Sequence, residues 1–485
     1  MSLVSGFIQQ SHRSPNTIAF TEGDKQLSYA QFLSNSQCLA SAIQQRLYVN
    51  QLEYSDEPPR IALLLDRGIT AAVAIYGILM AGATYVPLDI HNPPSRLNFI
   101  IQDAQPLLIL GLGTCPAWLE TPEQWLNIEQ LPQALPYIAP AIDLSALAAI
   151  LYTSGSTGSP KGVALSHQAM LNFSVWAADT FAIEADDRIA SLAPLHFDLS
   201  VFDLFSSLSK GASVHFMPTS LSFSPSRLTA WLNEQAISCW YTVPSILSFI
   251  ALKGALSTTP LHRLKTLLFA GEVFPTPQLI SLAEQLPQVN LYNLYGPTET
   301  NVCCYWRVER TRLKPNEAIP IGISAGNASL KIAAETGELW VQSANNFAGY
   351  WQNGTLNAPI AADNWHATGD KVSINQQGEY CYHGRLDRML KCSGYRIEPA
   401  EIEHAINQLP GVENCAVVGI GDGNSGQRPA AAVVLNANYT LADIIQPLKE
   451  TLPAYMLPGK FLILEKLPTL SNGKIDFPAL QQLLT

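Results

Sequence analysis

The stretch LYTSGSTGSPKG, residues 151–162, gathers glycines, hydroxyl side chains and one lysine directly after the apolar run LAAI. Such a composition suits a loop that holds an anion. Gly155, Gly158 and Gly162 let the backbone turn its N–H groups inward, Ser154, Ser156 and Thr157 add donors, and Lys161 brings positive charge. The loop is not a G-x-x-x-x-G-K-[ST] phosphate loop, because glycine follows the lysine and the next helical pattern starts only at Ser166. A flexible surface turn has the same composition, so these residues alone leave both readings open. Glu299 after the GPT turn and Lys474 on the NG turn of SNGKID are equally ambiguous alone, since a single charge beside a turn is ordinarily solvated.

The surrounding pattern supplies a scaffold. RIALLLD (60–66) reads as a buried strand, residues 69–82 as a helix, and YVPLD as the strand that follows. RIASLAPL, SVHFMP, SCWYTVP and LKTLLFAG repeat the strand texture, separated by helix-length segments, which predicts α/β layers with largely parallel strands. From 319 to 383 short strands and turns predict a β-rich subdomain. PAEIEHAINQLPG then places Ile402, Ala405, Ile406 and Leu409 on one helical face and stops at Gly411, and CAVVGIG and RPAAAVVL follow as strands of a compact C-terminal unit.

Composition narrows the function classes. With 485 residues, 47% hydrophobic and 14% charged, the chain is globular and long enough for two to four domains at roughly 150 residues each. A net charge of −11 argues against capture of nucleic acid or anionic lipid. Eight cysteines without a C-x-x-C pair or metal-ligand spacing read as free thiols in a reducing compartment. The N-terminus lacks the basic and apolar regions of a secretory signal. Residues 69–88 are long and uncharged enough for a membrane span, but two glycines and Pro87 before Asp89 favour a buried helix running into a strand. A cytoplasmic protein without a membrane or nucleic-acid partner is expected.

Further motifs decide between the open readings. LSYAQF (27–32), LMAGATYVPLD (79–89), FDLSVFDLF (197–205), YNLYGPTET (292–300), GELWVQ (337–342), HATGD (366–370), GRLDRMLKCSGYRIEPAEIE (384–403), LPAYMLP (452–458) and NGKID (472–476) stand in one order along the chain. With that order and spacing the sequence resembles the adenylate-forming enzymes over nearly its whole length, and most strongly the amino-acid adenylation domains of nonribosomal peptide synthetases. The resemblance implies an α/β adenylate-forming fold. It divides into a large N-terminal core with a β-rich subdomain, residues 1–386, and a small mobile α+β domain, residues 387–485, hinged at Asp387.

The resemblance also implies roles. ATP and Mg2+ are the expected nucleotide and metal. The 154–161 loop would hold the β- and γ-phosphates, with Thr153, Gly271, Glu272 and Gly296 along the nucleotide and Thr298 near the α-phosphate. Glu299 would bind the metal. Tyr295 would stack on adenine while Asn293 reads its amino edge, Asp370 would accept from both ribose hydroxyls, and Tyr382 and Arg385 would close the pocket. Lys474 would bridge the substrate carboxylate and the phosphate, reaching them by a swing of the small domain. A second swing would present the KCSGYR side to a phosphopantetheine thiol.

Asp198 matches the residue that pairs with a substrate α-ammonium. Carried over position by position, the side-chain pocket is Leu199, Phe202, Tyr241, Leu268, Ala270, Leu294, Val302 and Cys303. It is apolar, crowded by two rings and free of a second charge, which suits a small aliphatic side chain, and it is similar to the pocket set of stand-alone proline-activating ligases. L-proline is therefore the expected substrate. Pipecolate or valine remains open, because one methylene in an apolar pocket discriminates by only about 1–3 kcal/mol. Eleven residues remain after Lys474, so the phosphopantetheinylated carrier protein is expected in trans. An acyl- or aryl-CoA synthetase shares the half-reaction but has no need of Asp198, and an inactive nucleotide-binding scaffold has no need to keep Lys161, Glu299, Asp370 and Lys474 together. One stretch departs from the family: SANNFAGYW (343–351) lacks the usual glycine-rich, arginine-bearing segment, and none of the expected chemistry rests on it.

Overall fold

Apolar strand runs alternating with helix-length segments can bury both faces of a sheet only by layering helices on it, and that is the architecture of the core. The computed structural model describes residues 2–49, 58–130, 137–155, 158–357, 363–421, 426–470 and 474–485. Among these, two large mixed sheets of eight and nine strands carry the core. The strands Arg60–Leu63, Thr84–Pro87, Leu108–Gly111 and Trp125–Asn127 run parallel in the first. Arg188–Ser191, Ser213–Phe216, Cys239–Thr242, Thr266–Phe269 and Asn290–Tyr295 run parallel in the second.

The uncharged segment after Gly68 is the helix Ile69–Met80, followed by the strand Thr84–Pro87. The helix buries residues on every side because it lies within the largest apolar cluster, and no helix among the described residues is long and apolar enough to cross a membrane. The segment Leu199–Ser209 packs in the same cluster and contains a π-helical turn at Phe202–Ser206, a form often found at functional sites.

Beyond the two large sheets, Ser329–Ile332, Glu338–Gln342, Trp365–Ile374 and Tyr380–Arg385 form a four-stranded antiparallel sheet, the β-rich region expected after residue 319. The last hundred residues hold their own apolar clusters around the helix Pro399–Asn407 and the strands Val412–Gly421, Gln427–Leu435 and Lys460–Ile463. Ile402 and Ile406 are fully buried there, with Ala405 and Leu409 packed beside them, as the helical spacing predicts.

Candidate functional site

Three parallel neighbours, Cys239–Thr242, Thr266–Phe269 and Asn290–Tyr295, end at one edge, where ligands of open α/β sheets collect. Tyr241 pairs with Leu268, and Phe269 with Asn293. Outside these ends lies a cavity whose wall includes Asp198, Leu199, Tyr241, Ala270 and Val302. Phe202 meets the Tyr241 ring edge to face, with centroids 5.7 Å apart, and backs the wall with the fully buried Leu268. Leu294 lines an adjoining cavity, and Cys303 is buried in the cluster of Tyr295.

Asp198 is the charged group of the apolar wall. Burial, seconded by the negative charge of Glu299, pushes its carboxyl up to about 6, although hydrogen bonds from the Thr298 hydroxyl and the Leu199 amide favour the ionised form. A cation placed against it would relieve that cost.

The adjoining cavity is lined by Gly271, Glu272, Asn293, Tyr295, Gly296 and Tyr382. The Asn293 amide nitrogen donates to the Pro320 carbonyl at 2.8 Å, so the side chain is fixed and presents an oxygen that accepts from an amino group. Asp370 is buried where its strand pairs with Arg385. It accepts from the Tyr295 hydroxyl at 2.5 Å and from Arg385 Nη1 at 2.9 Å. Arg385 also forks onto Asp387 through Nε at 2.8 Å and Nη2 at 2.5 Å, linking the buried Asp370 to Asp387.

The glycine-rich stretch connects two antiparallel strands, Leu147–Thr153 and Lys161–Ser166. It is therefore a hairpin loop without a helix N-terminus of its own; the helix His167–Thr180 follows, with the Ser166 hydroxyl accepting from the Ala169 amide as its N-cap. Thr153 and Ser154 line the first cavity. Ser156 and Thr157 lie outside the described residues. Lys161 reaches Glu299 Oε1 at 3.4 Å and sits 4.0 Å above the Tyr350 ring. Burial would raise the Glu299 carboxyl, but Arg396, Lys161 and the Tyr350 hydroxyl outweigh it and hold it well below the carboxylate range. Burial likewise lowers the Lys161 ammonium.

The hairpin formed by Leu390–Cys392 and Tyr395–Ile397 occupies the mouth of this site. The Gly394 amide donates to Glu272 Oε1 at 2.9 Å, and Tyr395 meets Phe197 edge to face with centroids 4.8 Å apart. Gly394 has φ +82°, and an added Cβ would stand 2.6 Å from Val243, so only glycine fits. The KCSGYR side thus faces the site, as one of the two expected orientations requires.

Lys474 is elsewhere. It is exposed, its backbone carbonyl accepts from the Leu470 amide, and it is absent from the residues lining the cavity. The structure brings together Thr153, Ser154, Asp198, Leu199, Tyr241, Ala270, Gly271, Gly296, Thr298, Val302, Asp370 and Arg385, and leaves Lys474 outside.

Besides Arg396, which pairs with Glu299, three further participants were missed in the sequence. Tyr350 comes from the departing SANNFAGYW stretch, on the strand Gly349–Gln352 beside Lys161–Ser166, and its hydroxyl donates to Glu299 Oε1 at 2.7 Å. The stretch set aside as chemically idle therefore touches the glutamate itself. The other two, Arg96 and Glu401, form a buried ion pair between the helices Pro94–Ala104 and Pro399–Asn407. An arginine and a glutamate 305 positions apart carry no sequence signal of pairing.

Comparison with known proteins places these features in context. A family model described as AMP-binding enzyme matches residues 7–351, and one described as AMP-binding enzyme C-terminal domain matches residues 401–474. An L-proline--[L-prolyl-carrier protein] ligase of Streptomyces coelicolor is 37% identical, over 94% of this chain and 92% of that protein. A ligase of the same description from Pseudomonas fluorescens is 38% identical, over 86% of this chain and 87% of its own. Among solved structures, holo-PA1221, a nonribosomal peptide synthetase protein with adenylation and PCP domains bound to a vinylsulfonamide inhibitor, superposes with a TM-score of 0.84 at 22% identity, covering 99% of this chain and 84% of that one.

Proposed function

The chain belongs to the AMP-binding enzymes, and from that premise we propose that it activates L-proline with ATP and passes the prolyl group to the phosphopantetheine thiol of a separate carrier protein. The observation that carries this reading is the cavity in which the buried Asp198 stands beside Leu199, Tyr241, Ala270 and Val302, a carboxylate on an apolar wall that suits the ammonium and small ring of proline. Similarity to two proline ligases over most of the chain supports it.

In the first half-reaction a proline carboxylate oxygen attacks the α-phosphorus of ATP. The bond from that phosphorus to the bridging oxygen breaks, and pyrophosphate leaves. Two anions must meet, so alignment and charge compensation carry the rate. Asp198 anchors the ammonium and thereby aims the carboxylate away from the apolar wall. Asn293, Tyr295 and Tyr382 receive the adenine, and Asp370 the ribose hydroxyls. The 154–161 loop with Lys161 holds the β- and γ-phosphates, and Thr298 approaches the α-phosphate.

Among the described residues no cluster of three His, Cys, Asp or Glu side chains could hold a metal alone. The donor set suits magnesium shared between one carboxylate, Glu299, and phosphate oxygens, since this cation takes one or two carboxylates and completes its shell from substrate and water. When bound, it neutralises phosphate charge.

Lys474 lies outside the cavity in the orientation described above, so we place the swivel at Asp387, between a core of residues 1–386 and a mobile unit of residues 387–485. Turned one way, the unit delivers Lys474 to the reacting carboxylate. Turned as observed, it delivers the 390–397 hairpin. An apolar cleft bounded by Phe197, Leu199, Tyr241, Val243, Phe249 and Tyr395 meets the first cavity and suits a pantetheine arm. There the thiolate sulfur attacks the prolyl carbonyl carbon, the carbonyl carbon to phosphate oxygen bond breaks, and AMP leaves.

An amino-acid panel in substrate-dependent pyrophosphate exchange tests the reading. L-proline should give the highest kcat/KM, followed by pipecolate and then valine, with benzoate inactive. Activity with benzoate or acetate and none with proline would overturn it.

A further inference from the structure

Transfer to a thiol needs a proton acceptor, because the thiolate is the nucleophile and an ordinary thiol, with a pKa of about 8.5, is mostly protonated at neutral pH. Most titratable groups that line the first cavity are already committed. Asp198 faces the substrate ammonium, and Asp370 accepts from Tyr295 and Arg385. Lys391 lies 4.0 Å from Asp370, while Arg385 and Arg396 have no lone pair to offer. Burial raises the hydroxyls of Tyr152, Tyr241, Tyr395 and Tyr455, which leaves them protonated.

His196 remains. It follows the strand Arg188–Ser191 of the second sheet, lines the cavity two positions before Asp198, and meets the Phe197 ring with centroids 5.1 Å apart. Phe197 in turn borders the cleft assigned to the pantetheine arm. Beside His196 stands Asp89, which follows the strand Thr84–Pro87 of the first sheet. The Asp89 Oδ1 accepts from the His91 amide at 3.0 Å, which fixes the carboxylate, and its Oδ2 lies 3.9 Å from His196 Nε2. The two side chains are only 15% and 13% exposed, and Nε2 is enclosed without a hydrogen-bond partner. The ring thus turns Nε2 to the carboxylate and has Nδ1 left to offer. Burial lowers the imidazole pKa; Asp89 opposes the fall, and Arg96 and His91 add to it. The ring is therefore neutral at neutral pH and able to accept a proton.

We propose that His196 is the general base of the transfer step, taking the pantetheine thiol proton on Nδ1 while Asp89 compensates the imidazolium that forms. The proposal rests on the prolyl-ligase reading and gives its second half-reaction a catalytic residue. As the S–H bond breaks, the proton passes to Nδ1 and the sulfur lone pair attacks the prolyl carbonyl carbon. The bond from that carbon to the phosphate oxygen then breaks, its electron pair leaves with AMP, and the imidazolium releases its proton to solvent.

Single-turnover transfer from preformed prolyl-AMP to pantetheine, set against proline-dependent pyrophosphate exchange in the same full-length protein, tests it. For His196→Asn the ratio of transfer to exchange at neutral pH should fall on the order of 100-fold. The deficit should shrink as the pH rises through the thiol range, where solution supplies the thiolate. It should also be smaller at neutral pH for the more acidic trifluoroethanethiol. Asp198 titrates in both proteins, so the difference between their pH profiles belongs to His196. An unchanged ratio, whether both rates hold or fall together, would overturn the proposal. So would a deficit equal for both thiols and at every pH, the mark of lost packing against Phe197. Failure of the prolyl-ligase reading shows instead in the parent, which would then acylate neither thiol.

Discussion

Replacing Asp198 by asparagine probes the substrate site with the least disturbance of shape. The amide keeps an oxygen for the Thr298 hydroxyl and leaves the apolar wall of Leu199, Tyr241 and Val302 in place. What goes is the charge opposite the substrate ammonium. Stripping one partner from a buried ion pair costs about 3–5 kcal/mol, so kcat/KM for proline should fall by on the order of 150- to 5000-fold. The pH dependence gives a second, independent reading. Because burial holds the carboxyl up at about 6, and kcat/KM reports groups of the free enzyme, the parent's exchange activity should decline as the pH drops below that value, while the asparagine variant loses this limb. Stability should move the opposite way. A raised carboxyl pKa means that ionised Asp198 destabilises the ligand-free fold above pH 6, with the cost vanishing below the ordinary aspartate range. The asparagine variant should therefore melt higher than the parent at neutral pH without proline, and proline should stabilise only the parent. Proline activation within about threefold of the parent, with the acid limb intact, would refute the pairing.

Lys474→Ala should abolish pyrophosphate exchange while leaving single-turnover transfer from preformed prolyl-AMP to the carrier; equal loss of both steps would refute the division of labour between two orientations. Gly394→Ala puts a Cβ 2.6 Å from Val243 and should slow the transfer step more than exchange, as measured by the ratio of the two rates. Glu379 is held down to about 2, chiefly by hydrogen bonding to Arg312, with Asn375 and Trp306 also donating. Its contribution is present above the ordinary glutamate range and lost as the pH falls through about 2. Glu379→Gln should destabilise the protein by about 1–3 kcal/mol at neutral pH, and the difference in Tm from the parent should shrink steadily toward pH 2.

The core was legible wherever burial imposes a pattern. Strands enclosed on both faces read as short apolar runs, and RIALLLD, SVHFMP and LKTLLFAG became Arg60–Leu63, Ser213–Phe216 and Thr266–Phe269, in each of which at least half of the positions are buried apolar residues. The helix Ile69–Met80 was readable for the same reason, once its glycines and Pro87 had set its length apart from a span. The π-helical turn at Phe202–Ser206 was not, since one extra residue in a turn leaves no mark on composition. Nor was the strand Lys161–Ser166 read as a strand, although it makes the glycine-rich stretch a hairpin loop.

Within the site, single residues were legible through short motifs and their partnerships were not. Asp198, Asp370 and Glu299 each sit in a recognisable local string, but the groups that set their charge come from far along the chain: Arg396 is 97 positions from Glu299, Tyr350 is 51, and Tyr295 is 75 from Asp370. Pairing over such distances depends on how remote segments pack, which no local motif records. Lys474 and Arg396 lie in the same C-terminal unit, yet only Arg396 reaches the cavity in this orientation. A sequence can state that both cations exist. Which of them meets the buried Glu299 is decided by packing, and it is Arg396 that does so, beside Lys161 and the Tyr350 hydroxyl.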